Sequence, residues 1–132
     1  MKITADTNVL VRAVVGDDTR QAQAAARLLK NADLIAVPLP CLCEFVCVLR
    51  QVYNFGQQDI SAAVSALLDA GNVVANRPAV DAGLAVLKEG GDFADGAIAY
   101  EGNWLGGEIF VSFDKRAVSL IAKQGQKAQL LV

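Results

Sequence analysis

The segment IFVSFD at residues 109–114 combines a short apolar run with an aspartate at its end. A run of this length without polar alternation is typical of a strand that is buried on both faces. The segment KITAD at residues 2–6 is also a strand candidate that ends in an aspartate. Strands covered on both faces favour a parallel sheet with helices packed on each side. These two segments therefore predict an α/β fold in which separate strands each end at an acid.

Predicted strands and helices alternate along the rest of the chain. Further strands are predicted at residues 34–37, 73–74 and 128–132, and the first two are followed within a few residues by a proline. Helical spacing and end signals predict helices at residues 8–15, 19–29, 40–53, 59–71, 78–90, 93–105 and 115–123. The alternation predicts one domain over residues 1–132, a three-layer α/β/α domain with a central, mostly parallel sheet of four or five strands.

The composition limits the classes of protein to which the chain can belong. Its 132 residues are 54% hydrophobic and 20% charged, which favours a globular domain over disorder. No apolar run approaches the roughly 18 to 20 residues that span a bilayer, and Asp6 interrupts any leader-like stretch. We therefore expect a cytoplasmic protein with no membrane association. The three cysteines, all within residues 41–47, are expected to be small buried hydrophobes.

The chain contains no histidine. This excludes Ser-His-Asp and Cys-His catalysis and histidine-bound zinc, so hydrolysis would require carboxylates, amines, hydroxyls or a bound metal. The net charge of −2 initially argues against a nucleic-acid partner. If four of the 14 acids bind metal, however, 10 remain against 12 bases, so mild acidity does not exclude RNA.

Four acids are predicted to meet at one edge of the sheet. Asp6 and Asp114 each directly follow a strand, and ligands in open parallel sheets bind beyond the carboxyl ends of the strands. Glu44 lies about one turn into the helix after the second strand, and Asp95 lies in the first turn of a later helix. Carboxylates this close repel one another and therefore take up protons or bind cations. All-oxygen ligands favour Mg²⁺ or Mn²⁺, as one or two ions.

Each acid also has a structural alternative. For each of the three aspartates, the alternative is that it caps a helix and has no further role. Glu44 lies in an apolar helix, where an unpaired carboxylate is costly, so a salt bridge to Arg50 or Arg12 is its main alternative. Asp92 competes with Asp95 as both cap and ligand.

At this point the residues resemble those of a known family. The segments DTNVL at residues 6–10, CEFV at 43–46, DFADGAIA at 92–99 and SFDK at 112–115 resemble the four acidic motifs of PIN-domain nucleases. Their order and the chain length resemble the VapC-type toxins of toxin–antitoxin pairs, over essentially the whole chain. Gly96 stands where a better helix former is usual, and Ser112 stands where threonine is common.

The resemblance implies a Mg²⁺- or Mn²⁺-dependent endoribonuclease that acts on RNA such as tRNA, forms a homodimer and binds a small antitoxin protein. It implies that Asp6, Glu44 and Asp95 are the primary metal ligands and that Asp114 completes a second site or orients the attacking water. Hydrolysis by metal-activated water would leave a 5′-phosphate and a 3′-hydroxyl.

Other polar residues beside these acids are candidates for contacts with ligand or phosphate. The hydroxyl and amide candidates are Thr7, Asn8 and Ser112, and the cationic candidates are Lys115, Arg116 and Arg12. Trp104 is expected to make an apolar contact in the core or a dimer in preference to stacking on a base.

Three other functions compete with a nuclease. A receiver-like phosphoacceptor domain would use a late lysine such as Lys115, but it needs an aspartate at the end of its middle strand, and residues 38–40 and 73–76 contain none. A haloacid dehalogenase-like phosphatase needs Asp-x-Asp, and Asn8 takes the second place. A catalytically silent PIN-like binding domain would lack activity despite its complete set of acids.

Overall fold

Seven helices and five strands alternate along the chain in a computed structural model that describes all residues 1–132. The chain divides into two units, residues 1–76 and residues 77–132. Each unit contains both helices and strands, and all strand pairs are parallel. The alternation predicted from the sequence is therefore confirmed, whereas a single domain over residues 1–132 stays a prediction.

Three short strands form the sheet of the first unit. They are β1 (Lys2–Thr4), β2 (Leu34–Ala36) and β3 (Val73–Val74), in the order β1-β2-β3. Ile35 in the middle strand pairs with both neighbours, with Ile3 on one side and Val73 on the other. Because all three strands point the same way, their carboxyl ends lie at one edge of this sheet.

Four helices connect and cover these strands. They are α1 (Thr7–Val15), α2 (Thr19–Asn31), α3 (Leu39–Gln51) and α4 (Gln57–Asp69). Their inward faces bury large apolar side chains almost completely, among them Leu10, Phe45, Leu49, Ile60 and Val64. Burial of one such side chain stabilises the fold by about 1.5–3 kcal/mol, so the packing of this core holds the helices in place. No helix in either unit has both the length and the apolar character needed to cross a membrane.

The second unit begins with a helical pair. Its elements are α5 (Arg77–Lys88), α6 (Phe93–Trp104), β4 (Phe110–Ser112), α7 (Lys115–Lys123) and β5 (Ala128–Leu130). The side chains of Val86, Ala99, Leu120 and Ile121 form a buried cluster, and Phe110 and Ala128 pack against it. This cluster joins α5, α6 and α7 to one face of the two strands.

The structure corrects the prediction that residues 109–113 form a strand buried on both faces. β4 pairs with β5 alone, so the five strands form parallel groups of three and two. Ile109, Val111 and Phe113 are exposed, whereas Phe110 is half-buried. Side chains alternate between the faces of a strand, and only the face that carries Phe110 meets the apolar cluster of this unit.

Gly96 allows α5 and α6 to approach each other closely. A Cβ atom at Gly96 would meet the carbonyl oxygen of Ala82 and lie 2.8 Å from the Cα of Gly83. Both obstacles are backbone atoms, which cannot move aside as a side chain can. The low helix propensity of glycine is therefore offset by a helix contact that only glycine permits, and Gly96 is buried in an unbroken helix.

Substitution of Gly96 by alanine tests this close packing. We expect Gly96→Ala to lower the free energy of unfolding by about 1–3 kcal/mol, as overpacking typically does. Gly102 lies in the same helix, and a Cβ atom added there would have no neighbour within 4 Å, so Gly102→Ala is the matched control. The control should be neutral or stabilise by up to about 1 kcal/mol. Equal effects in urea denaturation would contradict the packing argument.

Candidate functional site

Asp6 lies at the carboxyl end of β1 and caps α1. Its Oδ1 accepts a hydrogen bond from the backbone N–H of Thr7 at 2.8 Å, and the residue is exposed. Because this cap uses one carboxylate oxygen, capping and metal binding are compatible for this side chain. The choice between cap and ligand that the sequence left open is therefore not an exclusive one.

Glu44 lies in α3 and is exposed to solvent. Its Oε2 accepts a hydrogen bond at 3.0 Å from the Oγ1 of Thr7, a residue with only 7% exposure. Neither of the two expected arginine partners binds it: Arg12 pairs with Asp17 at 2.8 Å, and Arg50 forms no ion pair. The sequence argument that this carboxylate needs a cation against an apolar environment was wrong, because exposure removes most of the cost of desolvation.

Thr7 and Cys41 connect Asp6 to Glu44. The Thr7 Oγ1 also lies 3.6 Å from the Cys41 Sγ, and the Cys41 thiol donates to the Ala5 carbonyl oxygen at 3.5 Å. Burial raises the pKa of this thiol, the Thr7 hydrogen bond opposes the shift, and the negative charges of Asp6 and Glu44 add to it. Both carboxylates therefore act on one buried sulfur atom, which places them on the same side of the first unit.

The cysteines differ from one another in burial. Cys41 is buried, Cys43 is partly buried and Cys47 is exposed, all without a disulfide. The prediction of three buried hydrophobes is therefore right for Cys41 and wrong for Cys47, because the two residues lie on different faces of one helix.

Asp92 and Asp95 have separate roles in the second unit. Asp92 caps α6 by accepting from the backbone N–H of Ala94 at 3.1 Å. Asp95 is the third residue of the helix, is partly buried, and its carboxylate accepts no hydrogen bond. The competition between them is thus resolved for capping in favour of Asp92, whereas the role of either acid as a ligand stays a prediction.

Asp114 lies two residues after the end of β4 and caps α7. Its Oδ1 accepts from the backbone N–H groups of Arg116 at 2.9 Å and Ala117 at 3.2 Å. The Ser112 Oγ accepts from the backbone N–H of Asp114 at 3.0 Å, so this hydroxyl fixes the turn that carries the acid. Ser112 therefore stabilises this turn, and its predicted contact with a ligand or phosphate stays a prediction.

The charge of Asp95 is unfavourable in the folded chain. Burial raises the pKa of its carboxyl above the ordinary aspartate value, and the negative charges of Asp92 and Asp114 raise it further. These three acids thus lie close enough to repel one another electrostatically. A bound cation would relieve this repulsion, as would a proton.

The structure brings the predicted acids together as two sets. Asp6 and Glu44 lie around Thr7 in the first unit, and Asp95 and Asp114 interact electrostatically in the second. Neither unit by itself assembles three or more acidic or cysteine side chains in a group that could hold a metal ion. A common site of all four acids stays a prediction.

The other predicted contact residues differ in availability. Lys115, the first residue of α7, and Asn8 in α1 are both exposed. The Arg116 guanidinium lies against Gly90. Arg12 binds Asp17, Gln21 at 2.7 Å and the Tyr53 hydroxyl at 3.3 Å.

The Arg12 network was missed by sequence reasoning. The Tyr53 hydroxyl donates a hydrogen bond at 2.9 Å to Asp17, the same carboxylate that binds Arg12. The hydrogen bonds from Tyr53 and Arg12 lower the pKa of the Asp17 carboxyl, although burial opposes this shift. No motif links residues 36 positions apart, so only the fold reveals this partner. Nothing in the structure supports a phosphate contact by Arg12.

A comparison with protein-family models matches residues 3–123 to the PIN domain. The match includes all four acids and crosses the boundary between the two units. This domain has a three-layer α/β/α fold, in agreement with the predicted fold class. No curated protein matches the chain.

Because the charge of Asp95 is unfavourable, we predict that its removal stabilises the metal-free protein. The raised pKa means that the folded state binds a proton more tightly than the unfolded state, so ionised Asp95 destabilises the fold above that pKa and the loss is recovered as pH falls through it. In chelator at neutral pH, Asp95→Asn should therefore raise Tm, and the gain should disappear towards the ordinary aspartate pKa.

Asp59 provides the matched control, since it is also the third residue of a helix and is exposed. Asp59→Asn should lower stability slightly, by about 0.3–1 kcal/mol, through loss of a favourable helix-dipole contact. A fall in Tm for Asp95→Asn at neutral pH, measured by differential scanning fluorimetry, would contradict the electrostatic account.

Proposed function

The chain belongs to the PIN-domain family, whose members are generally metal-dependent nucleases, and from this premise we propose that it is an endoribonuclease that requires Mg²⁺ or Mn²⁺. The observation that carries the proposal is that each unit presents a pair of the predicted carboxylates, and that hydrogen bonds hold three of the four, those of Asp6, Glu44 and Asp114. The family match, which covers both sets, supports their use in one reaction.

The donor set suits one or two hard divalent cations. All four acids supply oxygen, and none forms an ion pair with a lysine or arginine. Burial and then neighbouring negative charge disfavour the ionised form of Asp95. In the proposal Asp6, Glu44 and Asp95 hold the ion, and Asp114 completes a second position or orients water. Mg²⁺ prefers such oxygen ligands and retains several waters.

Hydrolysis of an RNA phosphodiester fits these residues. A divalent ion at this site would supply charge neutralisation and a lowered pKa for an attacking water. The chain itself contributes the fixed carboxylates, the exposed ammonium of Lys115 for a phosphate oxygen, and caps that hold Asp6 and Asp114 in place. Attack by water leaves a 5′-phosphate and a 3′-hydroxyl, whereas attack by the 2′-hydroxyl would leave a cyclic phosphate.

Thr7 acts in this proposal as a positioning residue. Its buried hydroxyl holds Glu44 at 3.0 Å, while its backbone N–H holds Asp6 at 2.8 Å. One residue thus fixes two ligands from different elements. Residues that orient metal ligands in this way typically affect metal affinity or activity by about 10- to 100-fold.

We further propose that the chain is the toxin of a toxin–antitoxin pair. The motif order and chain length resemble those of VapC-type toxins, which supports a homodimer, inhibition by a small antitoxin protein, and cleavage of RNA such as tRNA in the cytoplasm. The alternative is a catalytically silent PIN-like binding domain, and the first experiment below separates the two.

Cleavage of RNA by wild type and Asp6→Ala tests the nuclease. We expect wild type to cut RNA in Mg²⁺ or Mn²⁺ and to be inactive in chelator. The cleavage rate of Asp6→Ala should fall by more than roughly 100-fold, which is the effect typical of residues that only orient ligands. Asp33 lies just before β2, outside the acid set, and binds the N-terminal amine. Asp33→Ala is therefore the control. Activity that survives Asp6→Ala, or that needs no metal, would exclude the proposal.

A valine at position 7 removes the hydroxyl while it keeps the size of the side chain. We expect Thr7→Val to weaken Mn²⁺ binding by about 10- to 100-fold and Thr7→Ser to restore most of it. Mn²⁺ affinity from calorimetry gives the comparison. If Thr7→Val binds Mn²⁺ like wild type, the positioning role is wrong.

Growth of an expression host tests the toxin role separately. Expression of the chain without a partner should slow growth, and Asp95→Asn should relieve it, because the variant folds but lacks a ligand. Growth that is unaffected by an active nuclease would count against a toxin and leave the enzymatic proposal intact.

A further inference from the structure

A polar pocket of about 510 Å³ lies in the second unit, apart from the acids described above. One wall is the C-terminal half of α6, with Tyr100 and Asn103, and the other is the turn from α7 to β5, which includes Gln124 and Lys127. Most of its lining residues are exposed, so it is an open depression that would contact one side of a ligand and leave the other in solvent. Nothing in the proposed reaction uses this pocket.

The fold holds the two walls in place. The Gln126 side chain donates to the Ala99 carbonyl oxygen at 2.9 Å, which ties the turn to α6. Gly125 has a φ of +92°, a conformation that favours glycine and lets the chain reverse directly after α7. The backbone N–H of Phe110 donates to the Lys127 carbonyl at 2.9 Å, which fixes the start of β5. The pocket is therefore formed by anchored backbone on both sides.

An aromatic pair borders this pocket. Tyr100 lines it, and the Tyr100 hydroxyl accepts a hydrogen bond at 3.0 Å from the indole N–H of Trp104. Trp104 is 77% exposed, so the expectation of an apolar contact in the core was wrong, and the expected contact in a dimer stays a prediction. A ring held by a hydrogen bond and left open to solvent is suited to stacking on a flat ligand.

The polar groups of the pocket match those of a nucleotide. Asn103 and Gln124 each carry an amide donor and acceptor, and the Glu108 carboxylate accepts from amino groups. Lys127 is the cation among the lining residues, is exposed and forms no ion pair. Proteins that read single-stranded RNA combine stacking, amide and carboxylate contacts to base edges, and cations on the backbone.

We propose that this pocket binds a nucleotide of a single-stranded RNA segment outside the cleavage site. The base edge meets Asn103 and Glu108, the base packs beside Tyr100, and Lys127 contacts a backbone phosphate. This inference rests on the proposed function, because that function supplies RNA as the ligand. The pocket would then help to select which RNA is cut. It needs no metal and no residue of the acid set.

Trp104 is the only tryptophan in the chain and therefore reports on this pocket through its fluorescence. A mixed-sequence RNA hexamer titrated into the full chain in chelator should give a saturable fluorescence change without cleavage. Asn103→Ala and Lys127→Gln should each weaken binding by about two- to tenfold, the size of one net polar contact. Lys30→Gln, an equal charge change at an exposed site in α2, should leave the affinity unchanged.

No saturable change, or equal affinities in wild type and both pocket variants, would overturn the proposal. A change in sedimentation of the variants with unchanged RNA binding would also overturn it, since the pocket would then serve contact between proteins. A different result would exclude the nuclease proposal, namely that wild type does not cut RNA in Mg²⁺ or Mn²⁺. That result does not depend on the fluorescence titration. Both pocket variants should also raise KM for RNA with little change in kcat.

Discussion

Hydrogen bonds from helix N-termini to carboxylates determine the local geometry on which the candidate site depends. Asp6 and Asp114 each lie two residues after the end of a strand and cap the following helix with one oxygen. The helix N-terminus also favours negative charge, so the fold tolerates acids at these points. A cap normally counts as an alternative to a functional role. Here it holds the side chain in one orientation, which is what a ligand to a metal or substrate requires.

The two sets of acids are supported by different physical means. In the first unit a buried threonine joins Asp6 to Glu44 through a backbone and a side-chain hydrogen bond. In the second, Asp92 takes the capping role and leaves Asp95 partly buried among like charges. The first set is therefore positioned by hydrogen bonds, and the second carries electrostatic repulsion that a cation would relieve. Both properties are expected of carboxylates that bind a hard divalent ion.

Much of this arrangement could be predicted from local sequence. Strand ends, capping aspartates and the position of Glu44 in the helix after β2 follow from residue type and spacing, and the structure confirms the element order. Local rules worked because caps involve residues only one to three positions apart, as in Asp114 with Arg116 and Ala117. The same rules could not tell that Asp92 would take the cap next to Asp95.

Long-range partners and exposure were beyond sequence reasoning. The Thr7 hydroxyl finds Glu44 37 positions away, and Arg12 is bound by Tyr53 41 positions away, neither of which leaves a spacing signal. Exposure of Glu44 and Trp104 was also missed, because an apolar sequence neighbourhood does not fix which face of a helix meets solvent. Helix propensity alone disfavours Gly96, and only its contact with the backbone of α5 explains why glycine stands there.

Calorimetric titration of Mn²⁺ into the metal-free chain tests most directly whether the acids of both units serve one site. Glu44→Gln changes the first unit, and Asp95→Asn changes the second. We predict that each substitution weakens the same binding event seen in wild type. Binding that is lost in one variant and unchanged in the other would contradict a shared site.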